Sequence, residues 1–531
     1  MNEPGMDSII LIDDGPESIT SPYSSKRDLH STQSNSHPVV LQKPLIIPIL
    51  LCLIISFGGF IFGWDVGTIG GIINMKSFKN HFGTIYNTES MEIDFPDILT
   101  GLIISIFNIG GALGGIFLAK LGDYIGRKLG ITLATTIYML GIFIQIINDQ
   151  VWYQFMIGRV ICGLGVGCNA VLVPMFISES APINIRGAMV VLFQVLVTFG
   201  ILVGNITNFF CVTYFNDSNY SWGIPTTLGL LWAAILLVGL IFVPESAEYL
   251  AIQKMNEDSA RLSFAKMNGI SVYHHKTDDF LNNMQDKLFL STQERINRKK
   301  WHEFISGSPK LGLRVLIGVL LMAFQQLSGI NYFFYYGTML FGKAGMSNPY
   351  TAAMILSSVN FLSTFAGIYL VESWGRKFSL FVGSIGMFIC MTLYSSIGSF
   401  FLSNEKAVWG MIIVTCAYIV FFATTSGPVT FVVVSELYPI RTRALSMALC
   451  SATNWIVNFF ISLLIPVLTK NMDFFLGYIF SFFLFISIFF IWFMVPETKG
   501  KNNDQIDFMF SSIKNELVDP LKPDRYGNEY Y

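Results

Sequence analysis

The sequence predicts an all-α membrane protein of about twelve transmembrane helices in two related six-helix halves. Three features predict it: a shortage of charge, a regular series of bilayer-length apolar runs, and motifs that recur half a chain apart. Of the 531 residues, 53% are hydrophobic and 13% are charged, where soluble domains carry about 25% charged residues. Mean hydropathy is +0.56. A soluble chain this long would lack the polar surface to cover its core, whereas lipid as solvent removes the need. The net charge of -2 gives no reason to expect a nucleic-acid partner. The seven cysteines fall in or beside apolar stretches without CxxC spacing, so they read as small core residues, with no disulfide framework or metal site.

A helix needs about 20 apolar residues to cross the bilayer core. Runs of that kind lie near 44–74, 98–121, 129–148, 151–177, 187–212 and 222–243. A second set lies near 312–341, 349–371, 378–401, 407–436, 442–468 and 472–495. The first run begins near Pro44, behind a polar segment, so it reads as a membrane span and not a cleaved leader. The implied organisation is a disordered N-terminus (1–43), a six-helix half (44–244), a linker with short amphipathic helices (245–311), a second half (312–496) and a tail (497–531). Residues 1–43 are too rich in Ser, Asp, Glu and Pro to fold alone. Orientation follows from the cations. With the linker and its basic run Arg295–Lys300 inside, the inner connections also hold Arg127, Lys128, Arg186, Arg376, Lys377, Arg441 and Arg443. The outer ones hold only Lys76, Lys79, Lys343, Lys406 and Lys470, so both termini are expected in the cytoplasm. Asn216 and Asn219 begin glycosylation sequons in an outer loop, too near the membrane to imply occupancy.

The halves repeat each other. Gly122-Asp-Tyr-Ile-Gly-Arg-Lys128 matches Val371-Glu-Ser-Trp-Gly-Arg-Lys377, and Ser178-Glu-Ser-Ala-Pro, closed by Arg186, matches Ser435-Glu-Leu-Tyr-Pro, closed by Arg443. Pro244-Glu-Ser closes the first half as Pro496-Glu-Thr closes the second. The offsets of 249, 257 and 252 residues imply one six-helix unit used twice, an architecture of alternating-access carriers.

Taken with Gly63-Trp-Asp-Val-Gly-Thr-Ile69, Gln325-Gln-Leu-Ser-Gly-Ile-Asn331, Tyr-Phe-Phe-Tyr-Tyr336 and Pro496-Glu-Thr-Lys-Gly500, these motifs resemble the sugar porters of the major facilitator superfamily. Over roughly residues 44–500 the chain looks most like the fungal hexose transporters. The resemblance implies the major facilitator fold, a monosaccharide substrate, the lipid bilayer of the plasma membrane as surroundings, and a monomeric functional unit. It implies no cofactor, no metal and no enzymatic chemistry. Facilitated diffusion is the expected mode, with proton-coupled symport and a non-transporting sugar sensor as alternatives. The short tail after Pro496 and the presence of Arg186 favour transport over sensing.

A sugar is an uncharged ring rimmed with hydroxyls and faced with C–H groups. Carboxamides suit it because one group both donates and accepts hydrogen bonds. Amides inside lipid-crossing helices are costly unless they are used. The seventh span carries Gln325, Gln326 and Asn331 around Ser328-Gly329, with Tyr335 one turn further. Gln326 and Asn331 are five apart, so local unwinding at Gly329 is expected to turn both to one cavity. The eleventh span sets Asn454 and Asn458 on one face beside Trp455, the fifth holds Gln194 and the eighth Asn360. Interhelical hydrogen bonding is the competing role for each amide. In the tenth span, Gly427-Pro428 permits a bend flanked by Phe422 and Phe431, which could stack on a sugar. Relatives often have Trp or Tyr in place of Phe431, so this chain lacks a polar handle there.

Two further sets carry charge. The resemblance implies a latch of Asp123, Arg127, Glu179 and Arg186 in one half and Glu372, Arg376, Glu436 and Arg443 in the other. It would hold the cytoplasmic side shut in the outward-open state. After Pro244-Glu245-Ser246 the family's usual Pro-Arg is Ala247-Glu248 here, a cation replaced by an anion. Asp65 and Arg159 lie inside apolar runs and are expected to pair, because either alone would be expensive. The pair is either structural or, as the resemblance allows, a proton site.

Overall fold

The computed structural model describes residues 46–87, 92–147, 151–182, 185–215, 218–284, 307, 309–401, 405–501 and 503–516. The basic run 295–300, the sequon residue Asn216 and the N-terminal segment lie outside these residues, as does the side chain of Glu372.

Eleven segments are long and apolar enough to cross a bilayer, and among the described residues they make twelve helical crossings. The last segment, Leu445–Met494, is 50 residues long, which as one helix would reach about 75 Å, more than twice a bilayer core. It is instead two helices, Ile440–Met472 and Leu476–Met494, joined by a 3₁₀ turn at Asp473–Phe475 where Asp473 takes φ 46°. The chain reverses there. Tyr478 bonds Ser396 near the end of the ninth span (Arg376–Phe400), whereas Trp492 lies against Phe381 near its start.

The other spans are Ile46–Ile72, Asp97–Leu113 continuing to Ile125, Arg127–Ile146, Trp152–Ser180, Arg186–Phe215 and Tyr220–Phe242 in the first half. The second half adds Leu311–Leu327 with Ile330–Lys343, Pro349–Trp374 and Glu405–Phe421 continuing to Leu437. Span seven breaks at Gly329, φ 89°, as expected from its sequence. Span two differs from the plain helix expected, and span ten adds a turn to the break expected at Gly427-Pro428: each holds a π-helical turn, Gly114–Leu118 and Phe422–Ser426. In span ten the wide turn runs into Gly427-Pro428, where the proline's missing N–H already interrupts the ladder.

Three elements outside the spans were not expected in detail. A short helix, Lys76–Phe82, and a two-stranded hairpin of Ile85–Asn87 with Glu92–Asp94 follow the first span. After the last span, Asn503–Glu516 forms a helix in what reads as a tail, seating Ile506 and Phe510 on the second half. The linker's short helices include Ala247–Ile252 and Glu257–Asn268.

Small residues set the helix spacing. Spans one and five pack closely because Gly63 and Gly67 leave room where a Cβ would collide with the carbonyls of Val197 and Ile201. Between the halves, spans two and eleven run antiparallel from the Asp97–Lys470 ion pair to Gly111 against Trp455. Span one meets span seven where Asn74 donates to Thr338, and Gly71 accepts from the Tyr350 hydroxyl of span eight. Hydrogen bonds and an ion pair tie the halves together from mid-bundle to the end bearing Asp97 and Asn74. That far end is closed; the opposite end carries the arginines.

Candidate functional site

The unwinding at Gly329 lets Gln326 and Asn331 touch although they are five residues apart: Asn331 Nδ2 donates to Gln326 Oε1 at 2.7 Å. Asn331 also donates to Asn458 Oδ1 at 2.9 Å, and Gln326 Nε2 donates to Asn454 Oδ1 at 3.0 Å. Asn454 donates to Gln325 Oε1 at 2.8 Å, and Gln325 Nε2 reaches the carbonyls of Ser426 and Gly427 at 2.9 and 3.3 Å. Spans seven, ten and eleven thus meet through one chain of carboxamides. Gln325 is fully spent bracing the break in span ten. Gln326 keeps one N–H and Asn331 keeps its carbonyl oxygen, so these two have capacity left for a hydroxylated ring. Tyr335 is buried one turn beyond Asn331.

Other expected site residues are less converged. Trp455 is buried between Phe62, Phe107 and Gly111, in the seam between halves. Gln194 and Asn360 each sit one turn from the Thr198–Thr364 contact, on opposite sides of it. Spans five and eight are antiparallel, so the two amides lie about 11 Å apart along the bundle. Phe422 is half-buried beside Gly427, and Phe431 is 46% exposed one turn further. The sequence reading missed Asn108, fully buried in span two, whose Oδ1 accepts from Asn458 Nδ2 at 3.1 Å. The rule that flagged the other membrane amides would have found it.

Asp65 and Arg159 form the expected ion pair, and the guanidinium lies 4.6 Å from the Phe107 ring. Thr68, Tyr138, Gln145 and Thr226 line a cavity of 20 Å³ beside the pair, enough for about one water.

At the arginine end, both halves build the same cluster. Gly126 (φ 112°) and Gly375 (φ 88°) turn the chain into spans three and nine through a conformation closed to L side chains. Glu245 Oε1 accepts from the Arg127 and Lys128 N–H groups at 2.9 and 3.0 Å. Glu497 accepts from those of Arg376 and Lys377 at 2.9 and 3.1 Å. A Cβ on Gly375 would sit 2.9 Å from the Glu497 carboxylate, and one on Gly126 would collide with Glu245. Arg127 then pairs with Glu179 at 2.9 Å and Asp123 at 2.9 Å, and Arg376 with Glu436 at 2.9 Å. The partners differ from simple local pairing. Glu179 takes Arg127, not Arg186, and Glu436 takes Arg376, not Arg443, because the glycine turn swings each motif arginine back across its own half. Arg443 instead donates to the Tyr438 carbonyl at 3.2 Å. Partial burial pushes the Glu497 carboxyl up, but the N–H groups of Lys499, Arg376 and Lys377 with the Arg376 charge outweigh it and hold the carboxyl below the usual range. Among the described residues, no group of three His, Cys, Asp or Glu converges as a metal site.

The model of the family described as "Sugar (and other) transporter" matches residues 51–510. Hexose transporter HXT14 of Saccharomyces cerevisiae is 49% identical over 481 residues, covering 88% of this chain and 89% of that one. A low-affinity glucose transporter of Kluyveromyces lactis is 39% identical over 501 residues, covering 92% and 87%. Among solved structures, the xylose transporter XylE of E. coli in a partially occluded inward-open conformation matches with a TM-score of 0.70 and 25% identity, covering 85% of this chain and all of that one.

Proposed function

The chain belongs to the sugar (and other) transporter family, and from that premise we propose that it carries hexoses, glucose or fructose among them, across the plasma membrane by alternating access. It is a multi-pass carrier and not an enzyme. The carboxamide chain joining Gln325, Gln326, Asn331, Asn454 and Asn458 carries the reading. Its unspent donor and acceptor suit a hydroxyl rim, and no charge stands among them to demand an ionic substrate. The arginine end faces the cytoplasm with both termini, a placement that the distribution of cations supports. The closed far end supports reading the structure as an inward-facing state. The paired clusters at Gly126 and Gly375 form the latch that shuts that side in the opposite state.

The mode is facilitated diffusion. Asp65 is already paired with Arg159 within the first half, where either charge alone would be costly. Proton symport is the second reading, supported by the water-sized cavity beside the pair. Uptake of labelled glucose and fructose by a transporter-null yeast expressing the chain tests the proposal. Saturable uptake of either sugar, inhibited by the other, is expected. Surface expression without uptake would overturn it and favour a sensor.

A further inference from the structure

Spans two and eleven keep one register from the closed end inward. Asp97 faces Lys470, a Cβ on Gly101 would strike the Leu463 carbonyl, Asn108 faces Asn458, and Gly111 lies under Trp455. Gly101, Asn108 and Gly111 share one helix face at spacings of seven and three. The glycines draw the backbones together, and between Gly101 and Gly111 the strip carries Asn108, an amide from the half that otherwise contributes nothing to the carboxamide chain. The strip from Asp97 to Gly111 covers 15 residues, about 21 Å end to end, which puts Asn108 at the inner part of the far-end seal, next to Asn458.

The Asn108 amide is only half used. Its oxygen accepts from Asn458, but its Nδ2 is buried without a hydrogen-bond partner, in a residue fully shielded from solvent. An unpartnered buried donor is unfavourable and rare in native folds. The donor sits on the same carbon as the oxygen that touches Asn458, so a hydroxyl held by Asn458 lies within its reach. Opening the far end must separate the two spans and break the amide–amide bond, exposing both groups to the incoming substrate.

We propose that Asn108 is the first half's hydrogen-bond donor to the sugar: a hydroxyl inserts between Asn108 Nδ2 and Asn458, and this bridge draws the far end closed. The proposal rests on the hexose-carrier reading and adds a residue and a closing step to it. It explains why one amide lies on the glycine strip, where a small apolar residue would pack without an orphaned donor.

The test uses the full chain, purified in detergent, with equilibrium binding of D-glucose and its 2-, 3-, 4- and 6-deoxy analogues, alongside zero-trans uptake in cells. Asn108→Ala removes the amide. Asn108→Ser is the milder variant, able to bond its own helix, and too short to reach both partners. In the parent protein each deoxy sugar that loses a contact binds more weakly. In both variants glucose should weaken about three- to tenfold, the worth of one hydrogen bond. One deoxy analogue should then lose its penalty, binding the variants as well as glucose does, while the others keep theirs. Deoxy penalties in both variants that run parallel to the parent's would overturn the proposal and leave Asn108 a packing residue, even if rate or stability falls. Failure of the parent itself to bind or carry glucose would instead sink the hexose reading, so the two failures are distinguishable.

Discussion

Replacing Gln326 with Ala separates a sugar site from a set of helix struts. The change removes two hydrogen bonds, to Asn454 at 3.0 Å and from Asn331 at 2.7 Å. The Asn454 oxygen and one Asn331 N–H lose their partners to water, but both side chains stay tied, Asn331 to Asn458 and Asn454 to Gln325. The structural cost is therefore that of the two bonds alone, about 1–3 kcal/mol, with rehydration from an open cavity drawing it toward the low end. The sugar loses a group able to donate and accept at once. A loss of about 1–3 kcal/mol there weakens binding about 5- to 150-fold. Gln325→Ala is the control, since Gln325 spends its amide on the Ser426 and Gly427 carbonyls and on Asn454. It should lower thermal stability more than affinity. Zero-trans uptake gives KM and maximal rate, and thermal unfolding of the purified chain gives stability. A Gln326→Ala protein with parental KM and a lowered melting temperature would refute the assignment and make these amides braces.

The remaining predictions concern charge. Glu179→Gln or Arg376→Gln should slow net transport while leaving binding from the cytoplasmic side intact, as measured by influx against inside-out vesicle binding; full rates in both would reduce the clusters to topology anchors. Asp65→Asn should impair rate or stability by leaving Arg159 unpaired, without changing the mode of transport; a sugar-dependent alkalinisation of the medium that vanishes in this variant would make Asp65 a coupling site. Glu497 has a depressed folded-state pKa, so its contribution is fully present above the ordinary carboxylate value of about 4.3 and is lost as pH falls through the lower folded value. Thermal stability of the purified chain should drop on acidification below that value, and Glu497→Gln should flatten this part of the profile; an unchanged profile would remove Glu497 from the account.

The twelve crossings were legible because hydropathy reports lipid contact directly, and the break at Gly329 because Gln326 and Asn331 cannot face one way on a regular helix. The cap of each half was half-legible. The recurring acids and arginines were evident, but which acid meets which arginine depends on the turn at Gly126 and Gly375, where a positive φ redirects the chain. The π turns at Gly114–Leu118 and Phe422–Ser426 left no signal, since one extra residue per turn costs little hydropathy. Gln194 and Asn360 show the limit of reading side chains singly: both are membrane amides, yet an antiparallel packing about two turns out of step parts them. Asn108 obeys the same rule as the other membrane amides, and its sequence alone does not place it beside Asn458.

Each arginine cluster closes on residues of its own half. Arg127, Glu179, Glu245 and Ser246 are all in place once the ribosome has passed residue 246. Their counterparts Arg376, Glu436, Glu497 and Thr498 are complete only 252 residues later. At about 5–20 residues per second, the first staple has tens of seconds to form before its twin exists. Glu245 reaches back 118 residues to cap the third span, so this contact can form only after all six helices of the first half have been synthesised. The contacts proposed as a latch are thus available to the first half before the second exists. A defect at Gly126 would be felt while the chain is being made, and one at Gly375 only after it is released.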